Sequence, residues 1–277
     1  MLHYWRLIRG EHGALAAMAA AASYVLAGGN EAGKAALIAL STFLAEAGMF
    51  AHNDLANLAE DRINRPDAPL VTGAVSPAAA KALAASAYLL GLASAAPLGP
   101  VPAAIYVTAV ALGFFYNVRG KRVPLVGNFL VALLTSLVYP YGMAAAPAWH
   151  LPLLLLFAAS LLANLGRELV KAALDYEGDR AAGVRTAAVV WGPERTASWG
   201  AYLAAASGFV GVYLALVSMA DKLYVLAAGV AATTAALFAS SYLCLKGKWG
   251  VFKRGALAAF GVTLAALLLQ ALFIYWG

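Results

Sequence analysis

Residues 151–180 read LPLLLLFAASLLANLGRELVKAALDYEGDR, an apolar run of helix length that passes directly into a short acidic stretch. A similar passage occurs earlier, where the apolar run at 35–52 leads into NDLANLAEDR at 53–62. Carboxylates in a membrane helix are costly to desolvate, about 2.5–3.5 kcal/mol at mid-bilayer and less near the interface, so they usually mark function. The two acidic stretches are therefore the first candidates for a functional site.

The spacing of the polar residues repeats between the two stretches. Asn57 and Asp61 are four residues apart, as are Asp175 and Asp179. This spacing stacks two side chains on one helix face. Two such faces brought together would hold divalent cations between them, and those cations would bind a diphosphate. We therefore expect segments about 120 positions apart to form one magnesium site.

The composition is that of an integral membrane protein. The chain has 277 residues, of which 63% are hydrophobic and 12% charged, and its mean hydropathy is +0.78. A soluble domain has about 45–50% apolar and about 25% charged residues. The apolar runs are continuous and rich in Ala and Leu, which argues against a β-barrel with its alternating strands. The single cysteine, Cys244, excludes an intramolecular disulfide, and no Cys/His cluster has the spacing of a zinc site.

The apolar runs predict an all-α polytopic bundle that forms one domain over residues 1–277. Each run is near the length of about 20 residues that a bilayer requires. A diverged repeat is expected, with helices one to four related to helices five to eight and a ninth appended. The nine predicted spans are 13–29, 35–52, 78–97, 101–117, 125–146, 151–173, 196–218, 222–245 and 255–276.

The distribution of basic residues predicts the orientation of the bundle. With nine spans, 17 of the 19 Lys and Arg residues fall on one side of the membrane, and only Lys34 and Lys222 fall on the other. Cytoplasmic loops carry such an excess, so we expect a multi-pass protein of the cell membrane with its charged side in the cytoplasm. Both acidic stretches lie on that side. The cluster formed by Lys246, Lys248, Lys253 and Arg254 is expected to contact anionic membrane lipids.

Three segments resemble those of a known family. Residues 53–70, NDLANLAEDRINRPDAPL, resemble the first signature of the UbiA superfamily of intramembrane prenyltransferases, and residues 175–186, DYEGDRAAGVRT, resemble the second. Residues 116–121, YNVRGK, with Gly127 and Asn128 after them, resemble the segment that follows helix four in that family. Residues 164–171, NLGRELVK, are similar to the archaeal digeranylgeranylglyceryl phosphate synthase branch.

This resemblance implies a nine-helix bundle around a lipid-accessible cavity with a cytoplasmic polar cap. It implies Mg²⁺-dependent transfer of a prenyl group, geranylgeranyl in the archaeal branch, from its diphosphate to a lipophilic acceptor such as geranylgeranylglyceryl phosphate. The chain departs from the family at Asn57, where aspartate is usual, and from the archaeal branch at Ala172 and Leu174, where acidic residues are typical. Asn57 still offers an amide oxygen to a hard cation but supplies no charge.

The predicted site residues follow from these segments. A diphosphate is itself negative, so a metal must reverse the local sign before carboxylates can hold it. Side chains with oxygen donors suit Mg²⁺. The metal-binding candidates are Asn53, Asp54, Asn57, Asp61, Asp175 and Asp179. The substrate-binding candidates are Asn64, Arg65, Lys121, Arg122, Asn128, Tyr139, Arg167 and Lys171. The catalytic candidates are Asp61, Tyr116, Lys121 and Asp175, with Tyr116 sheltering an allylic cation.

Other functions remain open at this point. The acceptor could be an aromatic quinone precursor such as hydroxybenzoate, because a basic rim does not distinguish it from a phosphate-bearing acceptor. An ion-coupled transporter is a more distant alternative, since its carboxylates usually lie near the midplane of the membrane and not at one face. A weakened relative that only binds prenyl lipid is a third. Nucleic acid is not expected among the partners, and no general base is assigned.

Overall fold

A computed structural model describes residues 1–181 and 183–276, without the side chain of Arg122. The described chain is helical and contains no strand. Short 3₁₀ turns at Ala96–Leu98 and Gly120–Arg122 lie among the α-helices. In chain order, the helices of the described ranges are α1 (Leu2–Ile8), α2 (Gly10–Leu26), α3 (Ala32–Ala56), α4 (Leu58–Asn64), α5 (Pro77–Ala95), α6 (Pro100–Val118), α7 (Val126–Ser136), α8 (Val138–Ala144), α9 (Leu151–Leu174), α10 (Tyr176–Ala181), α11 (Ala187–Trp191), α12 (Pro193–Ala220), α13 (Tyr224–Leu245) and α14 (Trp249–Trp276).

The apolar runs of the sequence coincide with helices. In the described ranges, eight segments are long and apolar enough to cross a membrane, which makes the protein a multi-pass membrane protein. The first predicted span corresponds to α2, which has 17 residues and is shorter than any of these eight segments. The predicted span at 125–146 is divided at Leu137 into α7 and α8.

Local sequence signals set several helix boundaries. Ser76 caps α5, because its hydroxyl accepts the backbone N–H of Ala79, and Pro77 occupies the first turn. Pro193 likewise begins α12 after Gly192, whose φ of 88° lies in the region that favours glycine. These signals allow a short turn between α11 and α12.

The chain separates into two compact units, each described here by itself. The first comprises Met1–Val118 and Tyr141–Ala148. Within it, α3 is central and packs against α2, α5 and α6. The loop that follows α4 returns to this unit and buries Leu70 and Val75 against apolar residues of the helices. This loop closes over the end of α3 that carries the first acidic stretch.

The second unit comprises Arg119–Pro140 and Trp149–Gly277. Its helices α9 and α12 pack closely because glycines face each other. A Cβ atom added at Gly166 would lie 2.5 Å from the carbonyl oxygen of Gly200, and one added at Gly200 would lie 2.6 Å from that of Gly166. Small residues at helix interfaces allow such close approach in membrane proteins. Cys244 is buried in the same core, with Sγ 3.6 Å from the carbonyl oxygen of Ala197.

Candidate functional site

Both acidic stretches lie where a long helix breaks and a short helix follows. Asn57 separates α3 from α4 with φ −102° and ψ 7°, and Asp175 separates α9 from α10 with φ −89° and ψ 2°. The helical hydrogen bond continues across each break, from Asp61 N–H to the Asn57 carbonyl at 2.8 Å and from Asp179 N–H to the Asp175 carbonyl at 2.9 Å. The two junctions therefore share one local backbone shape.

Asp54 is the most buried carboxylate of the first junction, with 1% of its surface exposed. Its Oδ1 atom accepts hydrogen bonds from Arg9 at 3.3 Å and from Arg65 at 3.2 Å. Its Oδ2 atom is buried and has no hydrogen-bond partner among the described residues. Two guanidinium groups thus compensate the charge of Asp54, while one of its oxygens keeps its bonding capacity.

Asn53 and Asn57 form an amide chain beside this ion-paired carboxylate. Asn57 donates to Oδ1 of Asn53 at 3.0 Å, and Asn53 donates to Oδ1 of Asn117 on α6 at 2.8 Å. Asn117 in turn donates to the carbonyl oxygen of Met49 at 3.3 Å. The chain of amides fixes the orientation of the first two, so their positions are set by α6 as well as by α3.

Asp61 lies on α4, one turn after the break. It is buried, and its Oδ2 atom lies 3.7 Å from Arg65. Burial raises the pKa of Asp61 above its usual value, and the nearby Arg65 opposes this effect. Arg65 therefore contacts both Asp54 and Asp61, and it is the common partner of the two carboxylates that the sequence predicted to bind metal.

The second junction is more open. Asp175 is exposed at the end of α9, whereas Asp179 on α10 is half-buried. Burial raises the pKa of Asp179, and Lys171 acts in the opposite direction. An exposed carboxylate next to a half-buried one leaves this junction accessible to a ligand.

Arg167 and Lys171 share a partner that the sequence reasoning missed. Glu168 is buried, and its carboxylate lies 3.0 Å from Arg167 and 3.9 Å from Lys171. Asn128 donates to the backbone carbonyl of Glu168 at 3.3 Å, which joins α7 to α9. The spacing of three residues between Glu168 and Lys171 was the available signal, since it places the two side chains side by side on a helix.

The remaining predicted residues lie at helix ends and turns. Asn64 is exposed and ends α4, and Tyr116 is half-buried near the end of α6. Lys121 lies in the 3₁₀ turn, where the backbone packs tightly enough that a Cβ at Gly127 would meet its Cα at 3.1 Å. Tyr139 on α8 shares a side-chain hydrogen bond with Ser160. The side chain of Arg122, also predicted to bind substrate, lies outside the described part of the chain.

Two further residues of the first junction were absent from the predicted set. Arg9, between α1 and α2, was counted only as a cytoplasmic charge, yet it contacts Asp54 and lies 4.4 Å above the ring centre of Phe50. Asn117 follows Tyr116 in the family-like segment but was assigned no role. No local spacing signals either contact, because their partners are 45 and 64 residues away in the chain.

The donor atoms at these junctions are mainly carboxylate and amide oxygens. Among the described residues, no three side chains of the His, Cys, Asp and Glu types are grouped closely enough to bind a metal ion. The first junction does supply a buried carboxylate oxygen without a hydrogen bond, on Asp54. Such oxygen donors suit a hard divalent cation.

Comparison with known proteins gives the family. The sequence model of the UbiA prenyltransferase family matches residues 14–248. The digeranylgeranylglyceryl phosphate synthase of Methanoregula boonei is 36% identical over 237 residues, which is 82% of this chain and 85% of the relative. The enzyme of that name from Methanoculleus marisnigri is 36% identical over 192 residues, 69% of each chain.

A solved structure gives the same fold. The UbiA homolog from Archaeoglobus fulgidus bound to GPP and Mg²⁺ has a TM-score of 0.76 at 22% identity, covering 99% of this chain and 100% of that one. At this identity the likeness shows the fold alone, whereas the family match covers most of the sequence. The resemblance read from the three segments is confirmed, and the chain belongs to the UbiA prenyltransferase family, whose members are membrane enzymes that transfer prenyl groups.

Proposed function

We propose that the chain transfers a geranylgeranyl group from its diphosphate to the free glycerol hydroxyl of geranylgeranylglyceryl phosphate, a step of ether-lipid synthesis. The support comes from relatives that carry the name digeranylgeranylglyceryl phosphate synthase and match up to 85% of their own length. The identity of the acceptor is the more specific part of the proposal. It rests on the likeness to the archaeal branch, from which the chain departs at Ala172 and Leu174, beside the second junction.

One observation of the structure carries the proposal. The chain breaks a membrane helix twice in the same way, at Asn57 and at Asp175, and each break presents oxygen donors one helical turn apart. Regular membrane helices satisfy their own backbone groups, so breaks with acidic side chains are tolerated only where they serve a polar site. We propose that both breaks bind the same diphosphate.

The residues present fit Mg²⁺. This ion is usually held by one or two protein carboxylates, and water and substrate phosphate oxygens complete its octahedron. A site of that kind does not need three grouped carboxylates in the protein alone. Asn53, Asp54, Asn57, Asp61, Asp175 and Asp179 would hold the ion. When bound, Mg²⁺ neutralises charge on the departing diphosphate. The homolog from Archaeoglobus fulgidus is described as bound to this ion.

The protein's own residues have distinct tasks in this proposal. Lys121 and Arg65 bind diphosphate oxygens, and a preorganised positive charge there stabilises the leaving group as the C1–O bond breaks. Arg167 and Lys171, already neutralised in part by Glu168, bind phosphate less strongly and orient it. Tyr116 lies near the allylic carbon and excludes water from it. Asn64, Arg122, Asn128 and Tyr139 complete the proposed substrate contacts.

The membrane topology is part of the proposal. We infer that α2 is a ninth span, because local thinning of a bilayer and snorkelling of flanking side chains accommodate a helix of 17 residues. With nine spans, we propose that both acidic junctions face the cytoplasm at the cell membrane, in agreement with the excess of Lys and Arg on that side. Nine spans also relate α3 with α4 to α9 with α10 as corresponding parts of a diverged repeat within a single domain.

A parallel assay tests the acceptor. The purified chain is incubated with labelled geranylgeranyl diphosphate and either geranylgeranylglyceryl phosphate or 4-hydroxybenzoate, with Mg²⁺ or with EDTA. We expect a Mg²⁺-dependent product with the glycerol phosphate only. A product with the benzoate alone would assign the chain to aromatic prenylation, and solute uptake into proteoliposomes without any product would favour a transporter.

A further inference from the structure

A carboxylate in the membrane-spanning part of α3 has no assigned role. Glu46 lies in the interior of that helix and is half-buried. No hydrogen bond from a described residue reaches its carboxylate, and its electrostatic partner is Arg9. Ionisable residues inside membrane segments are expensive and mark functional sites by default. Glu46 lies inside the apolar run at 35–52 and not at its end, and it is absent from the predicted site residues.

Glu46 shares a helix face with the asparagines of the first junction. It precedes Asn53 by seven residues and Asn57 by eleven. At about 3.6 residues per turn, these separations place all three side chains within about 20° of one line along α3. Glu46 therefore lies on the face that carries the amide donors, about 10 Å further along the helix from Asn53.

The packing of α3 shows which way this face points. On one side, Phe50 contacts α2, through its ring against His12. On the other side, His52 contacts α6, through its ring against Phe114. Glu46 and Asn53 lie between these two contact directions, and Glu46 itself lies close to Gly13 of α2. This face therefore lies between the side of α3 that contacts α2 and the side that contacts α6, and a ligand anchored at Asn53 that follows α3 into the membrane would reach Glu46.

We propose that Glu46 accepts the hydrogen bond of the acceptor hydroxyl and takes its proton during transfer. This inference rests on the proposed function, because it requires an alcohol acceptor. The C1–O bond of the prenyl diphosphate breaks and its electron pair leaves with the diphosphate. The hydroxyl oxygen forms the new bond to C1, and its proton passes to Glu46 and then to water. The distance along α3 leaves room for the diphosphate and C1 between the asparagines and the hydroxyl.

The positive charge of Arg9 favours the ionised form of Glu46. Its guanidinium interacts with Glu46 and is also held by Asp54 and by the ring of Phe50. A cation shared between two carboxylates compensates each only in part. Glu46 consequently keeps the capacity to accept a proton while its charged form is tolerated.

The test compares three variants of the full chain purified in detergent. Glu46→Gln keeps the shape of the side chain and removes its basicity, and Glu46→Asp withdraws the carboxylate by one methylene. Glu31→Gln, in the loop that leads into α3 and paired with Lys34, is the matched control. Measured quantities are kcat and KM for transfer to geranylgeranylglyceryl phosphate, and Mg²⁺-dependent binding of a bisphosphonate analogue of geranylgeranyl diphosphate.

We expect Glu46→Gln to lower kcat by about 100-fold, the lower end of what a general base contributes, with unchanged binding of the analogue. Glu46→Asp should retain an intermediate rate, and Glu31→Gln the full rate. A wild-type rate in Glu46→Gln, or a parallel loss of analogue binding, would overturn the role of Glu46 and leave the proposed function intact. Absence of transfer by the unchanged protein would overturn both.

Discussion

The guanidinium of Arg9 lies 3.3 Å from Oδ1 of Asp54, although 45 residues separate them in the chain. Arg9 connects α1 to α2 with a left-handed backbone conformation, φ 47° and ψ 57°. This conformation is uncommon for a side chain of its size and lets the helix direction change within one residue. The ion pair therefore ties the N-terminal helices to the end of α3 at which the first acidic junction begins.

Removal of this ion pair should destabilise the protein. Asp54 is 1% exposed and Arg9 is about one-third exposed, so Arg9→Gln leaves a buried charge with Arg65 as its remaining cation. We expect a loss of about 1–2 kcal/mol in the free energy of unfolding. Thermal unfolding of the wild-type and variant proteins in detergent measures this loss of stability. Arg6→Gln is the control, because Arg6 pairs with the exposed Asp67 and its loss should cost under about 0.5 kcal/mol. Equal effects of the two changes would contradict the assigned importance of the Arg9 pair.

Loss of a charged ligand at either junction should abolish transfer without unfolding the chain. Asp61→Asn and Asp175→Asn each remove one carboxylate while preserving side-chain volume. We expect transfer to fall by about 100-fold or more, because the departing diphosphate loses electrostatic stabilisation. Asp67→Asn, outside both junctions, should retain activity. The measurement is the rate at which labelled product forms. Full activity in both junction variants would contradict the roles assigned to Asp61 and Asp175.

Replacement of Asn57 by aspartate should strengthen Mg²⁺ binding. Asn57 contributes an amide where the family usually has a carboxylate, and the affinity of an oxygen site rises with the number of charged ligands. Asn57→Asp also loses the donor that holds Asn53, so the gain is moderate. We expect the Mg²⁺ concentration for half-maximal transfer to fall about threefold or more. The transfer rates of the wild-type protein and of Asn57→Asp are measured over a range of Mg²⁺ concentrations. An unchanged midpoint would exclude Asn57 from the ligands of the metal.

A methyl group between α9 and α12 should destabilise the second unit. In Gly166→Ala the new Cβ would meet the carbonyl oxygen of Gly200, which is backbone and cannot turn away. Overpacking of this kind costs about 1–3 kcal/mol. Gly250→Ala in α14 is the control, since no atom lies within 4 Å of its added Cβ. Thermal unfolding should give a lower midpoint for Gly166→Ala than for Gly250→Ala. Similar midpoints would show that α9 and α12 accommodate the methyl group without strain.

The helices were the most predictable part of the structure. Membrane segments must be long and apolar, so their positions can be predicted from the composition of windows of about 20 residues. Eight of the nine predicted spans each overlap a single helix, and the predicted span at 125–146 overlaps α7 and α8. The break at Leu137 was not foreseen, although Pro140 accounts for it, because its ring has no N–H to donate to the carbonyl of Ser136 and crowds that carbonyl.

The site was predictable only in its local part. The residues of the two acidic stretches were predicted from their spacing of four residues. The helical hydrogen bonds from Asp61 and Asp179 to the residues at the breaks preserve that spacing on one helix face. The breaks themselves were not predicted, since Asn57 and Asp175 are acceptable within a helix. Partners such as Arg9 for Asp54 come from distant parts of the chain, and no periodicity in a single sequence reports such pairs.

The buried position of Cys244 opens a route to direct measurement of geometry. The thiol is the chain's single one, and it is enclosed by the core of the second unit. Maleimide spin labels will therefore leave the folded native protein unmodified. Cysteines introduced beside α4 and beside α10 will be the reactive pair, and the separation of their labels, read with and without a diphosphate analogue, will report how far apart the two acidic junctions stand in the membrane.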